Sequence, residues 1–111
     1  MSDPITHHSQ IWLWSGAENG YSWHFVTLDG EAAEAIRAHE AMRRLELGPN
    51  AGRRRGFGSV KVAATIGETR WTTSVFPSKP QDGYILPLKL AVRKAEDLAA
   101  GDMVAVELEL L

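Results

Sequence analysis

The stretch Tyr84–Leu110, YILPLKLAVRKAEDLAAGDMVAVELEL, carries the reading that decides the fold. Tyr84-Ile85-Leu86 reads as a short apolar strand. Pro87 then sits where a helix can begin, because proline fixes φ and its missing N–H is not needed in a first turn. Leu88, Ala91, Val92 and Ala95 recur at helical spacing and predict one apolar face, with Lys89, Arg93 and Lys94 on the other. Asp97 to Asp102 reads as a turn. Met103 to Leu110 alternates cleanly: Val104, Val106, Leu108 and Leu110 point one way, and Met103, Ala105, Glu107 and Glu109 the other. The expectation is strand, short helix, strand, with one face of each in a common core.

Upstream of that stretch the pattern is of paired short strands. Phe57 to Ile66 predicts a strand with Val60, Val62, Ala64 and Ile66 on one face. Gly67-Glu68 makes a tight turn, and Thr69 to Phe76 returns antiparallel. In the returning strand Trp71, Thr73 and Val75 share a face, and Arg70, Thr72, Ser74 and Phe76 share the other. Pro77 and Pro80 are expected to stop it. Near the N-terminus, Gln10 to Trp14 places Ile11 and Leu13 opposite Trp12 and Trp14. The turn at Gly16 to Gly20 leads to a second strand, Tyr21 to Leu28. There Tyr21, Trp23 and Phe25 oppose Ser22, His24 and Val26. A short turn joins antiparallel strands only, so these two form a hairpin.

Between the hairpins, Asp29 is a candidate helix cap, and the helix is predicted over Gly30 to Leu45. Its apolar stripe is expected to be Ala32, Ala35, Ile36, His39, Met42 and Leu45, with Glu40 and Arg44 as an i, i+4 pair. Leu47 to Gly58, LGPNAGRRRGFG, reads as a loop that carries Arg53, Arg54 and Arg55. Residues 1–8 are expected to be a flexible N-terminus, with His7 and His8 as solvated tail residues rather than metal ligands. Residues 9–111 are expected to form a single domain.

Composition bounds the function. The chain has 111 residues, a formal charge of -2 and no cysteine. That excludes a disulfide framework and thiol chemistry, and it fits a cytoplasmic protein. Residues 1–50 carry seven acidic and three basic side chains, and residues 51–111 carry seven and nine. This is not the strong positive field of a dedicated DNA binder. No leader or spanning segment is legible, so no membrane association is expected. The fold class expected is mainly β with two short helices, a small double-split or pseudo β-barrel of about six strands.

The ordered set Gly56-Phe57-Gly58, Trp71-Thr72-Thr73-Ser74-Val75-Phe76-Pro77, Gly83-Tyr84-Ile85-Leu86-Pro87, Val92-Arg93-Lys94-Ala95 and Gly101-Asp102 resembles a family of small bacterial proteins with a domain of unknown function. Members also occur fused to bacteriocin-protection or porin-associated domains. The likeness covers residues 9–111 and implies a double-split β-barrel, with no settled activity. A more distant likeness, through Ile85-Leu86-Pro87, Arg93, Lys94 and Leu98 to Asp102, is to swapped-hairpin transcription factors and antitoxins. Those dimerise to complete a barrel. This chain is about twice as long as one such unit, so a monomer is expected over an obligate dimer.

Three functions are weighed on these residues. The first is a non-enzymatic binding or interaction module. Trp12, Trp14, Tyr21, Trp23, Phe25, Trp71, Phe76 and Tyr84 would either fill a core or line a cleft for a small anionic ligand or a protein partner. The ligand-binding set expected is Trp23, Arg70, Trp71, Thr72 and Ser74 with the loop Arg53, Arg54 and Arg55, and the alternative is a basic ridge of Lys89, Arg93 and Lys94. The second is nucleic-acid binding through those basic residues, disfavoured by the overall charge. The third is catalysis, for which the sequence offers little. Thr72-Thr73-Ser74 lacks a glycine elbow, and no phosphate loop, metal pair or dinucleotide fingerprint is found, so no cofactor, metal or catalytic residue is assigned.

Overall fold

A computed structural model describes residues 4–15, 22–47 and 58–111. Six strands and two helices follow in the order β1 (Ile5–Ser15), β2 (Ser22–Leu28), α1 (Gly30–Leu47), β3 (Val60–Ile66), β4 (Thr69–Ser78), β5 (Gly83–Pro87), α2 (Leu90–Ala95) and β6 (Met103–Leu110). The strands close into a barrel in the order β1-β2-β5-β4-β3-β6, every neighbouring pair antiparallel. Closure gives every strand two neighbours and so limits the free edge that would favour aggregation. The mainly β class and the strand count expected from sequence are those observed.

Alternation decides what fills the barrel. Ile11, Val26, Leu28, Val60, Val62, Ala64, Ile66, Trp71, Val75, Leu86, Val104, Val106 and Leu108 all belong to one buried cluster. Each fully buried aliphatic side chain here contributes about 1.5–3 kcal/mol relative to exposure. Gly67 takes φ +59 in the β3–β4 turn, the left-handed geometry that a two-residue hairpin loop requires.

β1 extends further than its hydrophobicity announces. It begins at Ile5, within the segment expected to be flexible. Its first half, Ile5–Gln10, pairs with β6, and its second half, Ile11–Ser15, pairs with β2. The handover is fixed by backbone bonds: Ile11 N–H donates to Asp102 O at 2.9 Å, and Gly101 N–H donates to Ile11 O at 2.7 Å. His7 is not a solvated tail residue. Its Nε2 donates to Thr27 O at 3.0 Å and lies 3.4 Å from an Asp29 carboxylate oxygen. Polar side chains at 6–10 hid a strand whose pairing is carried by the backbone.

Two prolines serve the sheet rather than the helix. Pro87 is the last residue of β5, opposite Phe25, and does not open a helix. Leu88 N–H extends the pairing to His24 O at 2.9 Å, and Lys89 stays extended at φ -71, ψ 159 as the N-cap of α2. Pro77 lies inside β4 opposite Tyr84, near the strand's end, so β4 runs past the expected stop. Of the predicted α2 stripe, Leu88 and Val92 are buried and Ala91 and Ala95 are exposed.

In α1, Ala32, Ala33 and Ile36 enter the core, while Met42 and Leu45 are 56% and 76% exposed. The predicted stripe therefore holds only over the first turns. An 18-residue helix is about 27 Å long at ~1.5 Å per residue, and its later turns run beyond the barrel core. Glu40 pairs with Arg43 at 3.5 Å rather than with Arg44. His39 is half-buried, and its Nε2 donates to Leu111 O at 3.0 Å.

Candidate functional site: an aromatic trough on the outer wall

A strand buried on one face has its other face in solvent, and here that outward face is aromatic. The register places Trp14 opposite Trp23, then Trp12 opposite Phe25, and Phe25 opposite Pro87. One step along, Ile85 lies opposite Phe76. These outward positions on β1, β2, β5 and β4 line an open trough of about 460 Å³, made by Trp12, Trp14, Trp23, Phe25, Phe76, Ile85 and Pro87. No charged residue lines it among the described residues. Its volume falls in the range of small-molecule sites.

The rings hold each other in place. Trp12 and Phe25 have centroids 5.0 Å apart with planes tilted by 38°, and Trp23 and Phe25 stack at 6.3 Å with planes 9° apart. Such pairs add about 0.5–1.5 kcal/mol beyond burial. Trp12 is also pinned by its indole: Nε1 donates to Thr27 Oγ1 at 2.8 Å, and that hydroxyl donates to Gln81 Oε1 at 3.0 Å. Trp12 and Phe25 therefore form a fixed floor. Trp14 and Trp23 stand 52% and 53% exposed as walls. Exposed aromatic area of this kind is a sign of recognition rather than of stability.

A smaller hollow of about 240 Å³ adjoins the trough, lined by Trp23, Trp71, Thr72, Thr73, Pro87, Leu88 and Lys89. Trp23 and Pro87 line both. Of the residues expected to bind ligand, Trp23, Trp71 and Thr72 thus meet at one hollow. Trp71 is only 8% exposed and belongs mainly to the core. Arg70 points outward and pairs with Glu109 at 3.1 Å. Ser74 lies opposite Lys61 on β3 and lines neither hollow. Arg53, Arg54 and Arg55 lie outside the described residues.

The alternative basic ridge also divides. Arg93 is half-buried and its Nε donates to Leu88 O at 3.1 Å. Lys94 is exposed, and Lys89 lines the smaller hollow. Lys89 is thus a described cation beside the aromatic rings. Ile85 and Pro87 were not legible as site residues, because their place beside Phe25 and Phe76 depends on pairing between strands distant in sequence.

Among the described residues, the half-buried His24 is the one whose side chain has an inaccessible polar atom, Nδ1, with no hydrogen-bond partner. Burial, and secondarily the Arg93 guanidinium, hold its pKa below the ordinary histidine value of 6.5. Among the described residues no cluster of three His, Asp or Glu side chains is arranged to hold a metal ion. No described helix is long and apolar enough to cross a membrane.

Compared with known families, residues 8–108 match a domain of unknown function, DUF1905. No curated protein matches the chain.

Proposed function

The chain belongs to the DUF1905 family of domains of unknown function, and from that premise we propose that it is a non-enzymatic binding module that takes a flat apolar group in the trough on its outer wall. The observation that supports this is the line of aromatic side chains at outward positions of four adjacent strands, two of the indoles half-exposed. A barrel gains little stability from such a surface, while a planar ligand gains stacking area on every ring. Rigid aromatic walls also lose little side-chain entropy when they bind.

Nucleic-acid binding has less support. Stacking of bases on aromatic rings needs cations along the same groove. Among the described residues the trough lining holds none, Arg70 is engaged by Glu109, and Arg93 is engaged by the Leu88 carbonyl.

The test is titration of the whole protein with 2-naphthamide, a neutral planar probe, followed through the indole N–H resonances. Saturable shifts of Trp12, Trp14 and Trp23, abolished in Trp14→Ala/Trp23→Ala, are expected. No shift with that probe or any member of a broad set of planar metabolites refutes the reading.

A further inference from the structure

We infer that the ligand of the trough is a planar aromatic small molecule carrying one anionic group, and that Lys89 receives the anion. The inference rests on the trough being a binding site and adds the chemistry of its ligand.

The trough alone gives no orientation to what it holds, since its lining has no charge. The adjoining hollow supplies what is missing. It shares Trp23 and Pro87 with the trough, so a group leaving the rings passes over one indole into it. There it meets Thr72, at an outward position of β4, and the ammonium-bearing Lys89. Among the described residues no acidic side chain lines either hollow, and Lys89 lines the smaller one, which favours a negative group.

Two facts favour Lys89, an exposed side chain that lines the hollow, as the receiving cation. It is the N-cap of α2, directly after the pairing of Leu88 N–H with His24 O, so its backbone is set by the barrel. Among the described residues no carboxylate pairs with it, whereas Arg70 and Arg43 each have one. A lysine on a fixed backbone beside apolar walls and an outward threonine suits a carboxylate, sulfonate or phosphate on a ring. The combined space fits a small molecule of one or two rings, and charge complementarity selects the anionic one.

The test compares 2-naphthoate with 2-naphthamide, which have the same ring and differ in charge. The wild-type protein is expected to bind naphthoate about fivefold tighter, the size of a solvent-accessible ion pair, and the preference should shrink as salt rises. In Lys89→Met the two probes should bind equally, with naphthamide affinity unchanged, and Lys89→Arg should restore the preference. Far-UV circular dichroism of each variant reports its fold. Equal affinity of both probes for the wild type, or a preference that survives Lys89→Met, overturns the inference while leaving the trough as a site. Binding of neither probe overturns the trough itself. Light scattering across a dilution series covers the remaining occupant: a dimer that dissociates in Trp23→Ala would assign the trough to a second copy of the chain and overturn the inference.

Discussion

Replacing Trp71 and Trp23 separately with alanine measures the division between core and surface on which the site depends. The two residues look alike in sequence, each a tryptophan at an alternating position of a strand. Trp71 is 8% exposed and faces the barrel interior opposite Ala64. Its removal leaves a cavity among aliphatic side chains, and core Trp→Ala changes cost about 3–5 kcal/mol. Trp23 is 53% exposed, so roughly half of an indole surface of ~150–250 Å² is lost from contact. At ~25 cal/mol per Å² that is at most about 2–3 kcal/mol. Residual burial in the unfolded chain and the alanine Cβ reduce it to about 1–2 kcal/mol. No cavity forms, because the site is open. Out of a total stability of ~5–15 kcal/mol, Trp71→Ala removes a large share and Trp23→Ala a small one. Guanidinium unfolding followed by far-UV circular dichroism is the assay, since it does not use the fluorophore being removed. At about 4 °C per kcal/mol, the melting temperatures should fall by roughly 12–20 °C and 4–8 °C. Equal losses, or a larger loss for Trp23, would refute the inside–outside assignment of β2 and β4.

Two further outcomes follow from the packing. A Cβ at Gly83 would meet the backbone carbonyl of Leu28, which the β2–β5 pairing holds, whereas one at Gly67 would meet the movable Glu96 carboxylate. Gly83→Ala should therefore cost about 1–3 kcal/mol as an overpacking change, and Gly67→Ala nearer 1 kcal/mol, from its positive φ; equal denaturation midpoints would contradict this. His24 resists protonation in the folded state, so the unfolded chain binds its proton first as pH falls. Stability should be full above 6.5, fall as pH drops from there towards the lowered folded pKa, and level off below it. A urea midpoint measured against pH should show this decline, and His24→Gln should flatten it.

Much of the architecture was legible because barrel strands buried on one face alternate. Met103–Leu110 and Val60–Ile66 show it plainly, and Gly67-Glu68 marks the hairpin between β3 and β4. The outward grouping of Trp12 with Trp14 and of Trp23 with Phe25 follows from the same period of two. What stayed hidden has a common cause. The register of β2 with β5 and of β5 with β4 joins residues far apart in the chain, and that register brings Pro87, Ile85 and Phe76 into the trough. Ile5–Ser9 escaped because its side chains include His7, His8 and Ser9, while its strand geometry comes from the backbone of β6. Arg70 was expected in the ligand-binding set with Trp71 and Thr72, but its guanidinium meets Glu109 on β6 instead, a partner that depends on pairing between strands distant in sequence.

The sharing of β1 between β2 and β6 has a consequence for the chain as it is made. Ile5–Gln10 is translated well before its partners at 103–108. At ~5–20 residues per second the first half of β1 waits roughly 5–20 s for them. During that wait the growing polypeptide can form its local hairpins but cannot shut the cylinder. The cylinder therefore shuts only once β6 has been made, and termination before Met103 would yield a product in which Ile5–Gln10 has no mate.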